Sequence, residues 1–244
     1  MPQFPGLLIS VLVVIAAPPS AEVSFGEIDQ VYKNSRSIEQ LLHTEKLILD
    51  SMKTSDPSGD WTWRLARTYY GLGKLSNGEE RGKYFIQCVE QTQRTLKINP
   101  ESANAYFFKG LCMGKRGEIQ GIWESLVLIK PIKKNMESAI RLDPSVNDGG
   151  PYRFLGRLYY ELPLFLGGSL DKSIEYLEKA VHYGPKFGKN YLYLAQAYFE
   201  NGDYQPARET LLSLLNVTRS TQADLEVHRI RSQARELLKQ IENF

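Results

Sequence analysis

Four prolines constrain this chain more than any other feature. Pro57, Pro100, Pro144 and Pro185 close the segments SMKTSDP, TLKINP, AIRLDP and AVHYGP, and successive prolines stand 43, 44 and 41 residues apart. Proline has no amide hydrogen and cannot continue the helix before it. Between the prolines, apolar residues recur at three- and four-residue spacing, the mark of amphipathic helices. Beyond residue 25 there is almost no strand-like alternation. A helix stop at this period predicts helical pairs stacked into an array.

The last unit is the clearest, NYLYLAQAYFENGDYQPARETLLSLL. Tyr191, Leu194, Ala195 and Tyr198 form the stripe of a first helix, Asn201-Gly202-Asp203 makes the turn, and Ala207, Leu211 and Leu214 form the stripe of a second. Small residues at 195 and 207 let the helices approach closely. The arrangement resembles the tetratricopeptide repeat. Tyr152, Leu155, Gly156 and Tyr159 repeat the first stripe; Tyr106, Gly110 and Met113 do so more loosely; Trp63, Ala66 and Tyr70 open the earliest unit. The expected fold is all-α, a tetratricopeptide-like superhelix of helical hairpins. Extra length is expected as inter-helix insertions at Gly71–Gly82, Gly117–Leu128 and Glu161–Gly168. The expected organisation is a signal peptide over 1–21, a helical segment over 22–58, the repeat array over 59–217 and a capping helix over 218–244.

Composition narrows the function. With 30 Lys+Arg against 28 Asp+Glu, the net charge of +2 argues against a nucleic-acid binder. Two cysteines and three scattered histidines (His43, His182, His228) imply no metal site and no cofactor. No HExxH, GxSxG or CxxC motif occurs, so no catalytic residue is assigned and the chain is not expected to be an enzyme. Cys88 and Cys112 both fall in helical, apolar-periodic stretches, and two separate buried thiols are favoured over a bridge. The apolar run LLISVLVVIAA at 7–17 is short for a membrane span and suits a signal peptide cleaved after Ala21; no cysteine follows it to carry a lipid.

Three motifs occur in order: WRLAR (63–67), DGGPYRFLGRLYYELP (148–163) and FLGGSLDKSIEYLEKAV (165–181). Together they resemble the T-component, or TatT-like, family of TRAP transporters. That resemblance implies an exported, periplasmic, non-catalytic protein that docks the transporter's solute-binding protein. It also implies a homo-trimer and an apolar channel for a hydrophobic or amphipathic carboxylate ligand. The WRLAR segment also resembles the eukaryotic regulators of microtubule dynamics. The alternative reading is a structural adaptor for protein complexes with no small-molecule ligand.

In a stack of helical pairs the first helices line the hollow side. Residues one and five places after each opening aromatic then face inward, which selects Arg64, Phe107, Leu111, Arg153, Arg157, Leu192 and Gln196, with Tyr160 and Phe199 one turn further on. These are the candidate binding residues. Arg153 and Arg157 would hold an acidic group; the competing reading pairs them with Glu161 or Asp148 as stiffeners of the stack. Gly167 and Gly168 are candidates for a channel mouth. Ser169 is expected to cap the following helix, and Asp148 and Pro151 to start theirs.

Overall fold

A computed structural model of the chain describes residues 23–53, 56–217 and 225–242. The apolar run at 7–17 and the expected cleavage point lie outside them. The described residues form α-helices with no strand: α1 (Phe25–Asn34), α2 (Ile38–Met52), α3 (Asp60–Leu75), α4 (Gly78–Ile98), α5 (Ala103–Gln120), α6 (Ile122–Leu142), α7 (Val146–Glu161), α8 (Leu170–Tyr183), α9 (Gly188–Asn201), α10 (Tyr204–Val217) and α11 (Leu225–Ile241). A single 3-10 turn, Leu164–Leu166, precedes α8. The pairs α3–α4, α5–α6, α7–α8 and α9–α10 are antiparallel hairpins, each packed on the next.

Three of the four expected helix stops fall directly before their prolines, while α2 ends at Met52 with Lys53 as its C-cap, short of Pro57. Asn99, Asp143 and Gly184 are the C-caps of α4, α6 and α8, and Pro100, Pro144 and Pro185 follow directly. The starts of α1, α2, α5 and α8 are capped by serine side-chain oxygens, which satisfy amides the first turn leaves without partners. Ser24 and Glu27 form a capping box on α1. Ser102 accepts from the Ala105 amide at 3.3 Å, and Ser169 from that of Lys172 at 3.2 Å, as expected for Ser169.

Each hairpin closes where a first helix lacks bulk. A Cβ on Gly110 would stand 2.6 Å from Met136, and one on Gly156 2.5 Å from Leu177. Ala66, Ala195 and Ala207 are fully buried. Tyr69 stacks on Tyr84 as Tyr159 stacks on Tyr176, with centroids 6.2 and 5.5 Å apart. These pairs equate Ala66 with Gly156 and Tyr69 with Tyr159. The first repeat therefore runs Thr62, Ala66, Tyr69, one residue earlier than the Trp63–Tyr70 stripe.

Two of the three expected insertions are not loops. The extra residues lengthen helices: α3 and α4 are separated only by Ser76-Asn77, and α5 and α6 only by Gly121. Gly73, inside the expected Gly71–Gly82 insertion, is a packing site within α3, since a Cβ on it would meet the Phe85 ring at 2.8 Å. Only the segment around 161–168 is a true connection. The start of α7 also differs from expectation. Asn147, Asp148 and Gly149 all take left-handed backbone angles, and the regular helix follows them.

Cys88 and Cys112 are bonded, which corrects the expectation of separate thiols. Both are fully buried, and their Cα atoms lie 6.2 Å apart, within the span a disulfide bridges. The bond ties α4 to α5. Closing a loop of this length contributes about 3 kcal/mol.

The ends of the array are covered. α11 lays Ile230, Ala234 and Ile241 over the Leu211 and Leu214 face of α10, forming one cluster with Leu192 and Ala195. α1 is clamped by charge. Arg64 donates to both Asp29 oxygens' carboxylate group at 3.0 and 2.9 Å, and Arg67 adds a bond of 2.7 Å. Arg67 also lies 4.2 Å over the Tyr32 ring.

Burial acts to raise the Asp29 pKa, but hydrogen bonds and charge from Arg64 and Arg67 outweigh it, and the carboxyl sits below its ordinary value. A depressed carboxyl contributes stability above its unfolded pKa of about 3.9, and that contribution is lost as pH falls through the folded value. Acid titration below about pH 4 should therefore loosen α1, read as lower unfolding free energy in denaturant melts. Asp29→Asn should be destabilised at pH 7 and should lose this component of the pH dependence. An unchanged acid profile in the variant would contradict the clamp.

Candidate functional site

The hollow side is built from the first helices, and its cations are engaged within the chain. Arg153 donates to Asn190 Oδ1 at 2.8 Å and to the Asp148 carbonyl at 3.1 Å, with its guanidinium 4.3 Å over the Phe187 ring. Burial lowers its pKa to about 10, against the smaller opposing influence of Tyr193, Asp148 and Tyr70, so it stays charged at neutral pH. Arg157 donates to Gln196 at 3.1 Å and to Glu161 at 2.6 Å, and lies 4.6 Å over both the Tyr160 and Tyr193 rings. Burial, reinforced by Glu200, raises the Tyr160 pKa.

The structure thus brings Arg153, Arg157, Tyr160 and Gln196 into one neighbourhood. It places the remaining candidates elsewhere. Arg64 is at the far end of the array in the α1 clamp. Phe107 and Leu192 are buried, Phe107 between α5 and the Gly150 turn, so neither offers an apolar wall. Leu111 is half-buried, and Phe199 packs edge-on against Tyr204 at 5.5 Å. Gly167 has a left-handed φ of 87°, and Gly168 lies so close to the Leu162 carbonyl that no side chain fits. Both shape the α7–α8 connection.

Asn190 escaped the sequence reading. It is fully buried, and its amide donates to the carbonyls of Asp148, Ala180 and Gly184 at 3.0, 2.7 and 2.9 Å. One side chain therefore joins α7, α8 and α9 while orienting Arg153. A lone Asn in an otherwise aromatic helix start was the available signal.

A recess lies on the outer side, between α4, α5 and α6. It is a trough of about 850 Å³ with α5 as floor and α4 and α6 as walls. Tyr106, Met113 and Leu128 line its interior, and Trp123 and Val127 stand at its edge. Trp123 and Val127 are 76% and 77% exposed, which leaves large apolar surface without a neighbour. Lys109, Arg116 and Lys134 also line it, against a single acid, Glu124. Pro131, inside α6, also lines it and has no amide hydrogen to donate within the helix. Among the described residues no group of His, Cys, Asp and Glu could hold a metal, and no helix is long and apolar enough to cross a membrane.

Stacked hairpins closed at a small residue, followed by a capping helix, define a helical-repeat scaffold of the tetratricopeptide kind. Solved structures agree on the fold. A thermophilic tetratricopeptide protein of Thermus thermophilus, TTC0263, superposes with a TM-score of 0.63 at 16% identity, covering 86% of this chain and 96% of its own. The structure of MamA gives 0.52 at 18% identity, over 83% and 99%.

The chain belongs to the family described as regulator of microtubule dynamics protein 1-3, whose sequence model matches residues 24–163 and 167–242. Regulator of microtubule dynamics protein 1 of Bos taurus is 26% identical over 233 residues, 87% of this chain and 72% of that protein. Regulator of microtubule dynamics protein 3 of Rattus norvegicus is 27% identical over 210 residues, 77% of this chain but only 43% of that protein.

This membership overturns the TRAP-transporter reading. The TatT-like resemblance, the solute-binding-protein partner, the ligand-holding homo-trimer and the periplasmic location all fall with it, since these relatives are animal proteins. The motifs misled for a physical reason. Gly-Gly-Pro-Tyr-Arg and Leu-Gly-Gly record how α7 starts and how α7 joins α8, geometry that repeat proteins of different function share. Of the two resemblances, the one carried by WRLAR at 63–67 matches the family.

The partnering predicts two different costs. Asn190→Ala should lower the unfolding free energy by about 2–3 kcal/mol, because buried carbonyls and Arg153 lose partners. Arg157→Ala should cost about 1 kcal/mol or less, because Glu161 is largely exposed. Chemical denaturation of both variants checks this; equal losses would contradict the assignment of Asn190 as the joint.

Proposed function

We propose that the chain is a non-catalytic adaptor that holds protein partners and through them acts on microtubule dynamics. The observation that carries this reading is the family match, which runs along the whole described hairpin array from α1 to α11. A rigid stack of hairpins with its ends covered offers extended surface, and surface is what an adaptor uses. In this reading Arg153, Arg157, Tyr160 and Gln196 stiffen the hollow side, and no chemical step is assigned to any residue. Three cations without an acidic partner among the described residues line the outer trough.

The full chain, added to dynamic microtubules in animal-cell extract, should change growth or catastrophe rates at least twofold, measured by fluorescence microscopy of single filaments. Unchanged dynamics at saturating chain, both in extract and with purified tubulin, would overturn the proposal.

A further inference from the structure

We infer that the α4–α5–α6 trough is a docking site for an acidic amphipathic helix. The inference deepens the adaptor reading by naming the surface and the chemistry of its partner. Three observations carry it.

The first is charge. Lys109, Arg116 and Lys134 all line the trough, and among the described residues none of the three has an acidic side chain at ion-pairing distance. Some cations elsewhere are paired, Arg64 and Arg67 with Asp29 and Lys115 with Glu118, and others are solvated singly on the surface; the trough gathers three in one apolar-lined recess. Three unanswered cations against one acid, Glu124, favour a negatively charged occupant.

The second is shape. The lining runs along α6 from Trp123 to Ser138 and along α5 from Tyr106 to Gln120. At 1.5 Å per residue the floor and the α6 wall each run roughly 21–22 Å, the length of about four helical turns. A trough of about 850 Å³ accepts one face of such a helix rather than a folded domain. Its interior is apolar at Tyr106, Met113 and Leu128, with Trp123 and Val127 at the edge and the cations set among these side chains. That arrangement suits i, i+3, i+4, i+7 apolar anchors flanked by carboxylates.

The third is preorganisation. Val89 on the α4 wall and Met113 on the α5 floor each adjoin a bonded cysteine, Cys88 and Cys112. The disulfide holds wall and floor in register before a partner arrives, which lowers the ordering cost of binding.

The test is a display library of random 16-residue helices selected on the intact full chain, followed by sequencing and fluorescence-anisotropy titration of the winners. Winners should be net acidic with an apolar stripe. Their affinity should fall at least tenfold with the double variant Lys109→Glu, Arg116→Glu, and separately with Val127→Glu. Arg157→Ala, on the hollow side, should bind normally, and circular dichroism should show all variants folded. Basic or neutral winners, or acidic winners insensitive to the trough substitutions, would overturn the inference. So would trough-dependent binding to phosphatidylcholine–phosphatidylserine vesicles in place of peptide. No microtubule enters this experiment, so its failure is separable from failure of the adaptor reading: dynamics could respond through another surface.

Discussion

Everything in this molecule depends on two helices being allowed to touch. Ala66, Gly110, Gly156 and Ala195 keep the contact face of each first helix almost bare, and the partner helix fills the space with residues such as Met136 and Leu177. Glycine inside a helix costs about 1 kcal/mol relative to alanine. Complete burial of a Leu or Met side chain returns about 1.5–3 kcal/mol. Close contact therefore wins at each hairpin, and repetition turns it into a stack. The position of α5 between α4 and α6, and hence the trough, is a consequence of that stacking.

Much of the fold was legible because its signals are local. Proline stops helices through its own chemistry, so the caps at Asn99, Asp143 and Gly184 could be anticipated from Pro100, Pro144 and Pro185. The last hairpin and its cover were legible from apolar periodicity. Other features were hidden because they arise from tertiary contact. Gly73 falls in a stretch expected as an insertion until Phe85 is seen packed against it within the hairpin. The one-residue shift in α3 is invisible while Trp63 and Thr62 are both plausible stripe members; only the Tyr69–Tyr84 stack decides it. The Cys88–Cys112 bond depends on two helices meeting at one level, which spacing alone does not encode.

The site was less legible than the fold. Counting places along each first helix led to the hollow side, and four of the residues so selected do meet there. The pairing of Arg157 with Glu161 is one of the two readings the sequence offers, at i, i+4 spacing, whereas the contacts of Arg153 with Asn190 and of Arg157 with Gln196 cross between helices and are not. Nor does counting find a trough whose floor is one helix and whose walls belong to two others. The contrast between the faces matters: paired cations rigidify the inside, while Lys109, Arg116 and Lys134 are left unanswered outside. The misassigned motifs carry the same lesson, since they report backbone geometry that many repeat proteins need.

The central claim is that the hairpins form a preformed scaffold with the trough already in place. Hydrogen–deuterium exchange of the full chain alone tests it most directly. Amides of α5 and the Ile132–Ala139 part of α6 should exchange only on global unfolding, in step with those of α3, α7 and α9. Exchange in α6 as fast as in an unstructured chain would mean the trough has no standing wall, and the account would fail.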